Sequence, residues 1–418
     1  MPTELSIAAI GAEGDGIARR DGRAIYVPGA LPGERVLAEI AGERATPQLW
    51  LAESRERVVP PCPHAGTCGG CALQHWAPAP YAAWKRDKLV LALARAGFPD
   101  APVAALASTP PGVRRRADLA VRRGAGGITL GFHARGAAQL VDLGTCTVLD
   151  PRLVALFAPL RALLQGLAAL RREGSAVLNL LDTGPDLLLR TDGPLDAPGR
   201  VKLAAFATAH GLPRIAWARG EGVAETAAQL GPVGIAFAGV NVVPPPGAFL
   251  QPSAAGEAAI VAAVLAGLPA RLPARAVIAD LYAGLGTLSL QLAARARVRA
   301  FEGEAGAVAA LTGAANAAQA RVEAVRRDLT RQPLAGPELR GLAAVVLDPP
   351  FTGAAEQVAL LARAAVPRII YVSCNPAALQ RDAAMLAQAG YRVLAAVPVD
   401  QFLWSPHLEA VVTFTRAD

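Results

Sequence analysis

Two hydrophobic rhythms divide the chain. Over residues 5–53, short alternating apolar and polar pieces are punctuated by glycine turns: GIARR, the Asp21-Gly22 pair, then RAIYVPGALPGERVLAEI. Alternation with a period of two marks half-buried strands, and an Asp-Gly pair between two such pieces marks a two-residue hairpin turn. The pattern predicts a small OB-like β-barrel. From Val277 the rhythm changes to apolar runs, VIADLYA, RVRAFEG, VEAVRRD, AAVVLDPP, RIIYVSC, YRVLAAVPVD and LEAVVTFTR, which read as seven strands. Ala- and Leu-rich stretches of helical character separate the first five, and none separates the last two. This predicts an α/β doubly wound sheet with an antiparallel pair at its end. Between Pro102 and Pro246, strand pairs such as AVLNLL and DLLLR, meeting around Asp182 to Pro185, mix with a helix expected over residues 153–170. In that region Arg114, Arg115, Arg116, Arg122 and Arg123 flank one strand-like stretch, as either a phosphate-facing strand or an ordinary solvated face.

Composition narrows the classes. A chain of 418 residues exceeds what one core usually organises, so two or three domains are expected. With 53% hydrophobic and 18% charged residues it is not a disordered chain. Its mean hydropathy of +0.34 invites a membrane reading. The longest uncharged stretch, however, is interrupted by Gln229, Pro232, Asn241 and the run Pro244-Pro245-Pro246, which excludes a spanning helix. The N-terminal MPTELSIAAIG has neither a basic region nor a long apolar one, so no signal peptide is expected and the cytoplasm is the expected location. A formal net charge of +7 suits a polyanionic partner but also suits simple solubility. Only Lys85, Lys88 and Lys202 among the basic residues are lysines; the rest are arginines.

The five cysteines are too sparse for a disulfide framework in a cytosolic chain. Cys62, Cys68 and Cys71 fall in PCPHAGTCGGCALQHW, where the neighbouring glycines let the backbone fold around a centre, and Cys146 in LGTCTVLD is the obvious fourth ligand. Four thiolates suit structural zinc or a 4Fe-4S cluster, and spacing does not choose between them; thiols buried by chance, with no metal, are the alternative. Cys374 lies apart, at the end of the apolar run 368–373, with Asn375-Pro376 opening a helix behind it. That is where open α/β sheets place their chemistry, and the first amides of the helix would favour a thiolate there; inert packing is the alternative.

In DLYAGLGTLSL, Gly284 and Gly286 permit a tight turn against a ligand before a helix. Glu302 ends the second strand, where a carboxylate can take both hydroxyls of a ribose, and Asp328 ends the third, near an adenine position.

Together these residues resemble the S-adenosylmethionine-dependent RNA uracil-C5 methyltransferases, and within them the 23S ribosomal RNA branch. The resemblance rests on AFLQPS, DLYAGLGTLSL, FEGE, LDPP, YVSCNPAALQRD and PHLEAVVTFTR, in order and on matching strands, and covers essentially the whole chain. It implies three domains: 1–56, a TRAM-like barrel; 57–246, an iron-sulfur and central RNA-binding domain of α+β type; and 247–418, a Rossmann-like class I methyltransferase domain. It also moves the metal choice from zinc to a 4Fe-4S cluster held by Cys62, Cys68, Cys71 and Cys146. S-adenosyl-L-methionine is the implied cosubstrate, with Gln251, Tyr282, Gly284, Gly286, Thr287, Glu302, Asp328 and Asp348 at its site. RNA is the implied partner, 23S rRNA before tRNA, and a monomer acting without an obligate protein partner is expected.

The implied chemistry explains two further residues. Uracil C5 is a poor nucleophile, so a thiolate, here Cys374, adds to C6 and turns C5 into an enolate carbon that can attack the methyl group. A base, matched by Glu409, then removes the C5 proton before the thiol is eliminated. C6 is buried in a stacked helix, so the uridine is expected to be flipped out or to come from a loop.

The chain also departs from the family: Tyr282-Ala283 stands where Phe-Cys is frequent, Thr287 where Asn is, and Phe351 where Arg is common. The resulting DPPF resembles the motif of exocyclic amino methyltransferases, so an adenine N6 or cytosine N4 enzyme is the enzymatic alternative. That chemistry needs neither thiol nor base. Cytosine-C5 enzymes usually carry a second cysteine beside the fourth strand, absent here. A non-catalytic RNA-binding assembly factor is the alternative from another class, and it would need neither Cys374 nor Glu409.

Overall fold

The computed structural model describes residues 2–416, so the outermost residue of the first segment and the last two of the third lie outside the described residues. Strands Thr3–Ile10, Gly16–Arg20, Arg23–Val27, Arg35–Ala41 and Arg44–Ala52 close into a barrel. Asp21 (φ 50°) and Gly22 (φ 76°) join the second and third as the expected two-residue turn, whose primed geometry needs two left-handed residues. Alternate side chains, among them Leu5, Ile7, Ile25, Val27 and Val36, fill its interior.

The middle of the chain forms a seven-stranded sheet in the order Glu225–Gln229, Arg214–Arg219, Gly184–Thr191, Glu173–Leu181, Arg116–Gly124, Gly127–His133, Leu140–Asp142. The hairpin expected around Asp182 to Pro185 is its centre, with Leu181 opposite Gly184. The helix expected over 153–170 is instead two, Pro151–Val154 and Phe157–Gln165, the second ending at Gly166. The arginines beside strand Arg116–Gly124 divide. Arg115 is buried and pairs with Glu257 at 2.5 Å, while Arg123 donates to the carbonyls of Leu164 (2.6 Å) and Leu170 (3.0 Å). Neither is free for phosphate; Arg122 faces solvent.

The C-terminal sheet has eight strands in the order Val322–Arg326, Arg297–Glu302, Val277–Leu281, Leu342–Leu347, Arg368–Ser373, Glu409–Arg416, Tyr391–Asp400, Ala107–Ser108. All seven expected strands are present, the first five parallel and Glu409–Arg416 antiparallel to both its neighbours. Apolar clusters cover both faces, as the continuous strand runs required. No α-helix joins the third and fourth strands. Pro333, Gly336 and Pro337 break that stretch and leave only the 3-10 turn Gly336–Leu339. The eighth strand, Ala107–Ser108, and helix Pro78–Arg95 come from the middle of the chain, and the helix lies against helix Pro376–Gln388 and strand Tyr391–Asp400. Among the described residues no helix is long and apolar enough to cross a membrane.

Candidate active site

Strand order reverses at Val277–Leu281, whose neighbours Arg297–Glu302 and Leu342–Leu347 continue in opposite directions. Ligands of open α/β sheets bind in the crevice at the carboxyl ends there. A cavity of about 790 Å³ opens at that point, and Gln251, Tyr282, Gly284, Thr287, Glu302, Asp328, Asp348, Cys374 and Glu409 all line it.

The turn after Val277–Leu281 is bent by left-handed residues at Tyr282 (φ 63°), Gly284 (φ 54°) and Gly286 (φ 89°). Gly286 caps helix Thr287–Leu292; a Cβ on it would stand 2.3 Å from Leu311 Cδ1, so only glycine fits. A Cβ on Gly284 would meet nothing within 4 Å, leaving its backbone open to the cavity. The Gly284 N–H donates to Glu302 Oε2 at 2.9 Å, and the Glu304 N–H donates to Oε1 at 2.8 Å, which fixes the carboxylate at its strand end. Asp328 is held by the N–H groups of Thr330 and Arg331.

Across the cavity the antiparallel ladder ends at the pair Ser373–Ala410, so Cys374, just past one strand end, and Glu409, the first residue of the other strand, come to the same cavity wall. Asn375 caps helix Pro376–Gln388 through the Ala377 N–H, and its side-chain amide donates to the Phe351 carbonyl at 2.9 Å. A line of amides connects the acids: Gln251 Nε2 donates to Asp348 Oδ2 (3.2 Å), while Gln401 Nε2 donates to Gln251 Oε1 (2.8 Å) and Glu409 Oε2 (2.9 Å). Glu409 Oε1 is buried without a hydrogen-bond partner among the described residues. Burial, then the Asp348 charge, pushes Glu409 well above the usual carboxylate range, and burial pushes Asp348 up to about 6.

The helix start was expected to favour a Cys374 thiolate, but the structure reverses the balance. Burial, with the nearby Glu409 and Asp348 carboxylates adding to it, pushes the thiol up to about 12.

Two residues of this site escaped sequence reasoning. Gln401 gave no signal, since its partner Gln251 is far away in the chain. Asp280 did give one, an acid within the apolar run VIADL. It is fully buried, accepts from the Ser289 hydroxyl, and is pushed up to about 7 by burial. Phe351, half of its surface open, meets His407 edge-on at 6.2 Å, and His407 in turn meets Phe402 at 6.0 Å.

Phe402 and His407 also border a second cavity of about 520 Å³, which Cys62, Cys68, Cys71 and Cys146 line. Gly69, between two of them, lies against the backbone of 133–135, where a Cβ would come within 2.7 Å of the His133 carbonyl. Burial raises Cys68, and raises Cys71 to about 11, with the charge of the other thiolates adding to both. Among the described residues no three His, Cys, Asp or Glu side chains are grouped closely enough to hold a metal ion.

A doubly wound sheet of this order, with one antiparallel strand near its end and its cavity at the strand reversal, is the arrangement of a class I methyltransferase fold. Residues 245–417 match the tRNA (Uracil-5-)-methyltransferase family, and residues 3–47 match the TRAM domain. An "uncharacterized RNA methyltransferase" of Caulobacter vibrioides is 40% identical over 99% of this chain and 100% of its own. The 23S rRNA (uracil(1939)-C(5))-methyltransferase of Halomonas elongata is 38% identical over 99% of this chain and 90% of its own. The crystal structure of Pyrococcus abyssi tRNA (uracil-54, C5)-methyltransferase in complex with S-adenosyl-L-homocysteine shares the fold with a TM-score of 0.75 at 23% identity, covering 99% of this chain and 100% of that one. The chain belongs to the S-adenosylmethionine-dependent RNA (uracil-C5)-methyltransferase family.

Proposed function

We propose that this protein methylates C5 of a uridine in 23S rRNA, acting as a cytoplasmic monomer, with Cys374 as nucleophile and Glu409 as base. The observation that carries the proposal is the end of the ladder, which brings a thiol and a buried carboxyl to one cavity wall. In this reading the Cys374 sulfur bonds to C6, and the C5 enolate takes the methyl group. Glu409 then accepts the C5 proton, and the freed electron pair restores the C5–C6 double bond as sulfur leaves. S-adenosylmethionine supplies the electrophilic methyl and, as a sulfonium, a positive charge that would offset the burial and the carboxyls that push the thiol up. Asp348, tied to Gln251, is the carboxylate that would face that charge. Glu302, fixed by two backbone amides, suits a ribose, and Asp328 suits the adenine end.

The four-cysteine cavity is assigned a structural 4Fe-4S cluster. The four cysteines line one cavity, and four thiolates are a donor set that a 4Fe-4S cluster takes. The cluster would brace the junction of RNA-binding and catalytic parts, and the TRAM barrel supports an RNA substrate.

The test is nucleoside analysis of RNA methylated by the purified protein. The proposal expects 5-methyluridine in 23S rRNA, lost in Cys374→Ala. N6-methyladenosine or N4-methylcytidine would instead favour the amino chemistry suggested by Phe351.

A further inference from the structure

The loop from Asp400 to Glu409 leaves one strand of the C-terminal sheet and returns by the next, and both its ends lie at the catalytic cavity. Gln401 holds Glu409 Oε2 and Gln251 Oε1, so the position of the base depends on where the start of the loop sits. That start is gripped from helix Pro78–Arg95, in a part of the chain remote from the methyltransferase strands. Asp400 and Lys85 form an ion pair in which both side chains are fully buried. The Lys85 ammonium donates to the Phe402 carbonyl at 3.1 Å as well. The Tyr81 hydroxyl donates to Asp400 Oδ2 at 2.6 Å and accepts the Trp404 N–H at 2.8 Å.

Trp404 is held in a left-handed conformation (φ 58°) that a bulky side chain rarely adopts. Its carbonyl accepts from the N–H groups of Ala72 and Leu73, directly after Cys71. Strain of this kind persists only where surrounding contacts over-determine it. The choice of residue agrees. This chain uses arginine for all but three of its basic side chains, yet a lysine, with its compact ammonium, stands at the fully buried position 85.

We propose that Lys85 and Tyr81 are positioning residues for the proton-removal step. Through Asp400 and the backbone of 401–404 they hold Gln401, and through Gln401 they hold the Glu409 carboxyl against the C5 proton. The proposal rests on the uracil-C5 reading. In the step concerned, Glu409 takes the C5 proton, the C5–H pair becomes the C5–C6 double bond, and the Cys374–C6 bond breaks with its electrons returning to sulfur. Neither thiol addition nor methyl transfer hands a proton to that carboxyl, and moving its charge away from Cys374 would not slow addition.

The experiment separates the two halves of the reaction in the full-length protein. RNA carrying 5-fluorouridine passes through addition and methyl transfer and then stalls, because fluorine cannot leave as a proton does. Its rate of adduct formation therefore reports the first half alone, and turnover of ordinary uridine RNA reports both. Lys85→Met and Tyr81→Phe should form the fluorouridine adduct at the wild-type rate, yet turn over uridine RNA about tenfold or more slowly. They should also accumulate on ordinary RNA a covalent adduct that survives denaturation. Tyr81→Phe loses one hydroxyl and keeps the ion pair, so it carries the test if Lys85→Met does not fold. Equal loss of both rates, or no change in either, would overturn the positioning role. If the wild type itself formed no Cys374-dependent adduct, the uracil-C5 reading would fall and this proposal with it.

Discussion

Gly284 and Gly286 both occupy left-handed backbone in the cofactor turn, and the structure predicts that alanine will fail at them in different ways. An L side chain forced into that region costs about 1–2 kcal/mol, while replacing glycine recovers about 0.4–1 kcal/mol by stiffening the unfolded chain. At Gly284 the added methyl meets nothing within 4 Å, so the net loss of stability should stay near 1 kcal/mol. At Gly286 the methyl would stand 2.3 Å from Leu311 Cδ1, inside the core of the catalytic sheet. Overpacking adds about 1–3 kcal/mol there, for a total of about 3 kcal/mol. For a domain of this size that is a fall in melting temperature of roughly 6–12 °C, against about 3 °C for Gly284→Ala. Calorimetric titration with S-adenosylmethionine should show the reverse order, because the Gly284 methyl projects into the ligand cavity while Gly286 packs behind it. Equal melting temperatures for the two variants, or tighter binding by Gly284→Ala than by the folded fraction of Gly286→Ala, would refute the reasoning.

Other consequences can be measured directly. Asp280 is fully buried and titrates near 7 when folded against an ordinary value of 3.8, so the folded state keeps a proton that the unfolded chain has lost. The stabilisation it gives at low pH is lost as pH rises through 7, and Asp280→Asn should gain on the wild type by about 4 kcal/mol at pH 8 or above and by little at pH 4, read from thermal melts. Glu409→Gln should form a methylated covalent adduct with ordinary uridine RNA and release it poorly; turnover at the wild-type rate would remove Glu409 from the base role. Cys68→Ala should lower soluble yield and the visible absorbance of anaerobically purified protein; full iron content with normal folding would sink the cluster assignment.

Much of the catalytic fold was legible because its strands are continuous apolar runs that only a covered sheet can bury, and because Asp21-Gly22 and the 182–185 turn have chemistry that selects a hairpin. Cys374 could be placed at a strand end for the same reason. What sequence could not give was contact between distant parts of the chain. Ala107–Ser108 is too short to carry a period, and helix Pro78–Arg95 mixes Tyr81, Trp84 and Lys85 on buried or half-buried positions that do not read as an apolar stripe. The Gln251–Gln401–Glu409 line joins residues brought together only by the sheet. The helix start behind Cys374 is visible in the sequence, whereas the burial and the two carboxyls that push its thiol up appear only once the sheet is assembled.

The central claim is that Cys374 attacks a uracil ring. It is tested most directly by incubating the anaerobically purified protein and S-adenosylmethionine with 5-fluorouridine-containing 23S rRNA, digesting the product with protease and nuclease, and identifying the cross-linked peptide by mass spectrometry. The account predicts a methylated fluorouridine on the peptide containing Cys374, absent from Cys374→Ala. Methyl transfer to unsubstituted RNA with no adduct on the fluorinated RNA would contradict it.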